Sequence, residues 1–186
     1  MIILGIDPGT LITGYGIIER TRSSLKLIDV GIIKNSSELS MPLRLKKIYS
    51  SLCAIIEKWA PDEFAIETAF YSKNAQSALK IGQARGVAIL AGVNYEIPVS
   101  EYSPREVKKA VFGNGAASKE QIQFMIMNEL KLKTKPRYLD STDALAVAVC
   151  HSRRITVPHR SFKNWKTFIE ANPERVIANS KVKSIK

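Results

Sequence analysis

The chain has 186 residues, 45% hydrophobic and 24% charged, an ordinary composition for one globular domain with a substantial core and room for an appendage. Twenty-eight Lys and Arg against seventeen Asp and Glu give a formal charge of +11, which favours a polyanionic partner such as nucleic acid. No apolar run can cross a bilayer without a charged interruption, and Met1 leads into the first strand with no basic stretch ahead of it. The expectation is therefore a cytoplasmic protein without a membrane role.

Ile2, Ile3, Leu4 and Ile6 form a short β-branched run stopped by Pro8 and Gly9, the pattern of a strand buried on both faces. Asp7 ends that run, where a core strand would carry another Val or Ile. It either caps the Pro8–Gly9 turn or pairs with a cation, since an ionised group beside a core is costly unless something compensates it. Residues 14–19 and 24–33 predict two further strands, the first close enough to form a hairpin with the opening one. Met41–Trp59 carries Leu45, Ile48, Leu52, Ile55, Ile56 and Trp59 at helical spacing, and Pro61 ends that helix.

Residues 64–66 form a second short apolar run ending in a carboxylate, Glu67, so the arrangement at Asp7 is repeated. Residues 72–95 predict a long helix in which Gly82, Ala84, Gly86 and Gly92 would let another element approach closely, either the sheet or a second subunit. Residues 98–102 predict a fifth strand. Ser103 with Glu106 and Ser118 with Gln121 are capping boxes that start two helices, separated by Gly113 and Gly115. Residues 131–137 form a basic loop. It leads to Asp140 and Asp143, three apart on one face of a helix, followed by an unbroken apolar run from Ala144 to Cys150. Helix capping would need only one of these two acids.

Beyond His151 the composition changes. Residues 152–186 hold nine basic and two acidic side chains, +7 of the total, which leaves +4 for the body. The chain thus divides into a domain at 1–151 and a basic extension at 152–186. Phe162, Trp165, Phe168 and Ile169 predict a short amphipathic helix in the extension, and residues 179–186 predict a mobile end. Cys53 and Cys150 are isolated in helices without zinc-ligand spacing and are expected to be buried thiols.

Asp7, Glu67, Asp140 and Asp143 are therefore four carboxylates at the ends of two strands and the start of one helix. Oxygen donors without paired His or Cys favour Mg²⁺ or Mn²⁺ over zinc. Two such ions can serve an in-line phosphodiester displacement, so a basic protein with this cluster is most economically a nuclease. The element order, three meandering strands and then strands separated by helices, predicts an α/β fold with a mixed five-stranded sheet flanked by helices.

Four segments in this order resemble the bacterial Holliday junction resolvase family, RuvC: Ile-Leu-Gly-Ile-Asp-Pro-Gly-Thr (residues 3–10), Phe-Ala-Ile-Glu (64–67), Asn-Ala-Gln-Ser-Ala-Leu-Lys-Ile-Gly-Gln-Ala-Arg-Gly (74–86) and Asp-Ser-Thr-Asp-Ala-Leu-Ala (140–146). The resemblance implies a ribonuclease H-like fold, a homodimer, and nicking of two opposed strands of a four-way DNA junction in recombination and repair. It implies dependence on Mg²⁺, with Mn²⁺ substituting and up to two ions per subunit, and cooperation with a RuvA–RuvB branch-migration complex. By position it makes Asp7, Glu67, Asp140 and Asp143 the metal-binding catalytic carboxylates and Phe70 an aromatic that stacks on junction bases. It places Lys108 and Lys119 near the scissile phosphate, Lys119 with a catalytic role, and it suggests Lys73, Lys80 and Arg85 as backbone contacts. The extension is expected to be longer than the usual end of such proteins and either to hold DNA nonspecifically, the favoured reading, or to dock its Phe162, Trp165 and Phe168 stripe on the body or on a partner.

Three rivals remain at this stage. The Gly5-to-Thr10 turn resembles the first phosphate loop of actin-like and sugar-kinase ATPases, but those need two related domains and an internal repeat that the chain lacks. A binding module of the same fold that has lost activity would not need all four carboxylates. A nuclease of the same fold acting on another branched or hybrid substrate is the nearest alternative.

Overall fold

A computed structural model describes residues 1–68 and 75–155. Among the described residues there are five strands, β1 (Ile2–Asp7), β2 (Ile12–Arg20), β3 (Leu25–Lys34), β4 (Glu63–Glu67) and β5 (Val99–Tyr102), and five helices, α1 (Met41–Trp59), α2 (Ala75–Asn94), α3 (Pro104–Phe112), α4 (Lys119–Glu129) and α5 (Leu139–Arg154), in the order β1-β2-β3-α1-β4-α2-β5-α3-α4-α5. The strands form one sheet in the order β3-β2-β1-β4-β5. β2 is antiparallel to both β1 and β3, whereas β1–β4 and β4–β5 are parallel. The short connections of the first three strands allow only the antiparallel arrangement, and the later strands return through the crossover helices that parallel pairing requires.

Both faces of the sheet are covered, which accounts for the near-continuous apolar reading of β1. Leu4, Ile6, Ile17, Phe64 and Ile66 pack with α1 and α2 on one face. Ile3, Ile18 and Ala65 pack with α3, α4 and α5 on the other. Successive side chains of a strand alternate, so Gly5 and Asp7 share the face of Ile3.

That face receives α5 at unusually close range. A Cβ on Gly5 would lie 2.2 Å from the Ala144 carbonyl oxygen, and one on Gly14 would lie 2.0 Å from that of Asp140. A Cβ on Gly16 would meet Leu145 at 2.7 Å. Gly14 is the register partner of Asp7, and Gly16 that of Gly5. The three glycines thus form a flat bed on which the backbone of α5 rests, and they fix where its first turn stands over the end of β1.

Helix starts follow the sequence. Both capping boxes form: Ser103 with Glu106 opens α3, and Ser118 with Gln121 opens α4. α1 ends at Ala60, whose φ of 43° is left-handed, immediately before Pro61. α5 runs to Arg154, so the expected boundary after His151 falls inside a helix, and Ser152 to Ile155 continue the first body. Cys150 is buried and Cys53 half-buried; both are free thiols. Among the described residues no helix is long and apolar enough to cross a membrane. Phe70, Lys73 and the extension from residue 156 onward, including its expected amphipathic helix and mobile end, lie outside the described residues.

Candidate active site

Ile6 of β1 pairs in register with Ile66 of β4, so Asp7 and Glu67 stand side by side at the carboxyl ends of two parallel central strands. Neighbouring residues of adjacent strands point to the same face, and here it is the face of α5. The pair is joined by a carboxyl–carboxylate hydrogen bond. Burial and the charges of Glu67, Asp143 and Asp140 push the Asp7 carboxyl up to about 8, so without metal it keeps its proton at neutral pH and donates it to Glu67. Burial, then the charge of Asp143, raises Glu67 as well, against the lowering effects of Lys119, the Asp7 bond and Lys108.

Asp140 and Asp143 come from the first turns of α5. Its N-cap is Tyr138, with no side-chain capping bond, so neither aspartate caps the helix. Their presence on the turn that faces β1 is left to another purpose. Lys119, the first residue of α4, donates from Nζ to Asp143 Oδ2 at 2.9 Å. That bond, together with the charges of Asp143, Asp7 and Asp140, raises the Lys119 ammonium above its usual value despite partial desolvation. Beside the cluster, Glu67, Lys108, Lys119 and Asp143 line a cavity of about 230 Å³ closed by Pro104, Val107, Ile122 and Ala146. Two anions and two cations around one cleft suit a phosphodiester flanked by a cation.

The residues fit a hard divalent cation by donor chemistry, since all four acids offer oxygen and burial, with the charges of the other three acids, raises the Asp7 carboxyl. As the side chains stand, no three described His, Cys, Asp or Glu side chains converge to enclose a metal, and Asp143 is turned onto Lys119. Lys119 thus balances part of the charge of the cluster.

The remaining predicted contacts divide. Lys108 reaches the cavity. Lys80 is exposed on α2. Arg85 is half-buried and forms an ion pair with Glu101 on β5, which gives its guanidinium a partner within the fold and weakens its expected role as a DNA contact. Gly5, Gly14 and Gly16 were not singled out as site residues. Their signal was a glycine in one Ile-rich strand and two more, two residues apart, in the next, which marks close backbone approach.

Residues 3–151 match the family model described as crossover junction endodeoxyribonuclease RuvC. The chain belongs to the RuvC family. The crossover junction endodeoxyribonuclease RuvC of Desulforamulus reducens is 52% identical over 153 residues, 82% of this chain and 94% of the relative. That of Chloroherpeton thalassium is 42% identical over 185 residues, 95% of this chain and 100% of the relative. A solved structure of Thermus thermophilus RuvC in complex with a Holliday junction substrate matches with a TM-score of 0.78 at 31% identity, covering 82% of this chain and 93% of that one. The ribonuclease H-like expectation for the fold holds. The extension, expected to be unusually long, is not: the Chloroherpeton relative is matched along its whole length by 95% of this chain.

Proposed function

We propose that this chain is a junction-resolving endonuclease that nicks opposed strands of four-way DNA, with Asp7, Glu67, Asp140 and Asp143 as its metal-binding carboxylates. The observation that carries the reading is the in-register Asp7–Glu67 pair at the ends of β1 and β4, with α5 bringing two more aspartates onto the same face. Family membership selects the four-way junction among possible DNA substrates. Two divalent ions, Mg²⁺ or Mn²⁺, when bound, supply positive charge at the phosphoryl oxygens where negative charge develops.

The chain's own groups do the rest. The glycine bed sets the height of Asp140 and Asp143 over β1. Lys119 would meet the scissile phosphate if Asp143 were to turn to a bound cation, and Lys108 supplies a second positive charge across the cleft. Lys119→Gln should slow cleavage about 10²-fold, the cost of one electrostatic contact to the reacting group, while junction binding in EDTA stays within a few-fold of wild type. An unchanged rate would remove Lys119 from the chemistry.

Paired nicks call for two subunits, and α2 offers the surface. Leu79, Gly82, Gly86, Leu90 and Val93 fall on one stripe at spacings of three and four, and all five are exposed. The opposite face, with Ala84, Ala88 and Ala91, is buried against the sheet, as is Gly92, which touches Phe64 and Val99. A Cβ at Gly82 or Gly86 would meet nothing within 4 Å, so a second helix can approach there. Leu90→Asp should yield a monomer in light scattering and turn paired nicks into single ones; a dimer of normal stability would place the interface elsewhere. Cooperation with RuvA–RuvB belongs to the same reading.

A further inference from the structure

The loop at residues 131–138, Lys-Leu-Lys-Thr-Lys-Pro-Arg-Tyr, carries four cations and no acid, and the reaction uses none of them. Its course is set by its ends. α4 runs from the catalytic end, where Lys119 meets Asp143, to the opposite end of the sheet, where Glu129 meets Arg153. The loop must then return to Leu139 beside the carboxylates, along a helix rising about 20 Å between Leu139 and Arg153. Nine residue steps would reach about 30 Å when fully extended, so the loop spans this distance with slack: it turns at Leu130 and Lys131, whose φ is 52°, and bends again at Lys133, Thr134 and Arg137.

Its four cations, Lys131, Lys133, Lys135 and Arg137, and Thr134 all face solvent, whereas Leu132, Pro136 and Tyr138 are half-buried. At the catalytic end Arg137 lies over the Tyr138 ring, 5.4 Å from guanidinium carbon to centroid. Lys135 is close enough to Glu120, in the first turn of α4, to add to the lowering of that carboxyl that begins with its bond to Ser118. At the far end Lys131 lines a cleft of about 610 Å³ with Arg20, Arg22, Lys26, Arg153 and Glu129. Arg20 and Arg153 are tied down there, Arg20 to the Ile155 carbonyl and Arg153 to Glu129 and the Ala110 carbonyl. Arg22, Lys26 and Lys131 are exposed.

We infer that Lys131, Lys133, Lys135 and Arg137 form a cationic strap that carries the phosphate backbone of one DNA arm from the catalytic carboxylates to the Arg22–Lys26 cleft at the other end of the sheet. The inference rests on the reading that the chain acts on DNA. Four exposed cations on a loop that runs from one end of α5 to the other give a phosphodiester strand several points of contact along its path. The strap begins where the scissile strand would lie. An acidic protein surface would be the other occupant of such a patch, but nothing would oblige it to start at the nuclease site.

The strap covers about 20 Å, roughly six base pairs of duplex at 3.4 Å each. The test is binding, in EDTA, of a four-way junction by the full chain and by a variant with Lys131, Lys133, Lys135 and Arg137 all changed to Gln. A second junction carries uncharged methylphosphonate linkages two to seven base pairs from the crossover. The variant should bind the natural junction on the order of tenfold to a hundredfold more weakly, with a salt slope shallower by two to four units. On the methylphosphonate junction the two proteins should bind alike, because the phosphates and the cations are two sides of one contact. Equal affinity and equal salt slope on the natural junction would overturn the strap, as would a loss that persists undiminished on the neutral linkages. Failure of the wild-type chain to bind the junction at all would overturn the DNA reading beneath it, a result distinct from either. Melting temperatures of the two proteins should agree, since all four side chains are exposed.

Discussion

Asp7→Asn is expected to abolish cleavage and, in the absence of metal, to make the protein more stable. The two effects come from the same geometry. Asp7 sits between Glu67 on its strand neighbour and two aspartates on α5, and its carboxyl is pushed up to about 8 by burial first and then by those three charges. A carboxyl whose folded value lies far above its ordinary value of 3.8 contributes stability that is complete at acid pH and is lost as pH rises through about 8. Metal-free wild-type protein should therefore melt at progressively lower temperature from about pH 4 to pH 9. Asparagine carries no such charge and can still donate to Glu67, so the variant should show a flatter profile and a stabilisation of roughly 1–3 kcal/mol above pH 8. Cleavage should fall on the order of a thousandfold or more, since several kcal/mol of transition-state stabilisation depend on the ligand set. Junction binding should persist, because no basic contact is touched. A variant that melts like wild type at pH 8.5 in EDTA would contradict the crowding of charge described at Asp7.

Gly14→Ala should do more harm than any single methyl group normally does. Its Cβ would stand 2.0 Å from the Asp140 carbonyl oxygen, against backbone rather than a movable side chain end. α5 must lift, and overpacking of this kind costs about 1–3 kcal/mol or more. In a domain of this size that lowers the melting temperature by roughly 5–10 °C. Activity should suffer further, because displacement of catalytic groups by about 1 Å can cost 10²-fold in rate. Differential scanning calorimetry and single-turnover cleavage measure the two separately. Wild-type melting and wild-type rate together would show that the close seat of α5 on β2 does not govern the site.

These two residues also mark how far the sequence carries. Asp7 was legible because a carboxylate at the end of an Ile-rich run breaks the expected pattern, and Glu67 repeats the break; their side-by-side register needed the parallel pairing of β1 with β4. The element order was legible from periodicity and from the capping boxes at Ser103 and Ser118, which are local signals. Gly14 was not legible as a site residue. A glycine in a strand signals close approach, but the partner, a carbonyl 126 residues away on α5, is a property of the fold. Arg85 shows the opposite case. A basic residue on a helix looks like a surface contact until Glu101, on a strand sixteen residues later, proves to be its partner. Composition could locate the loop of residues 131–137 but not its course from one end of α5 to the other, which follows from the antiparallel placement of α4 and α5.

The central claim is that four carboxylates at one end of the sheet cut junction DNA with the help of a divalent cation. The measurement that addresses it most directly is cleavage of a synthetic four-way junction, beside linear duplex and an RNA–DNA hybrid, in Mg²⁺ and in EDTA. The account predicts paired, symmetric nicks in the junction alone and only with Mg²⁺. Equal cutting in EDTA, or cutting of the hybrid in preference to the junction, would contradict it.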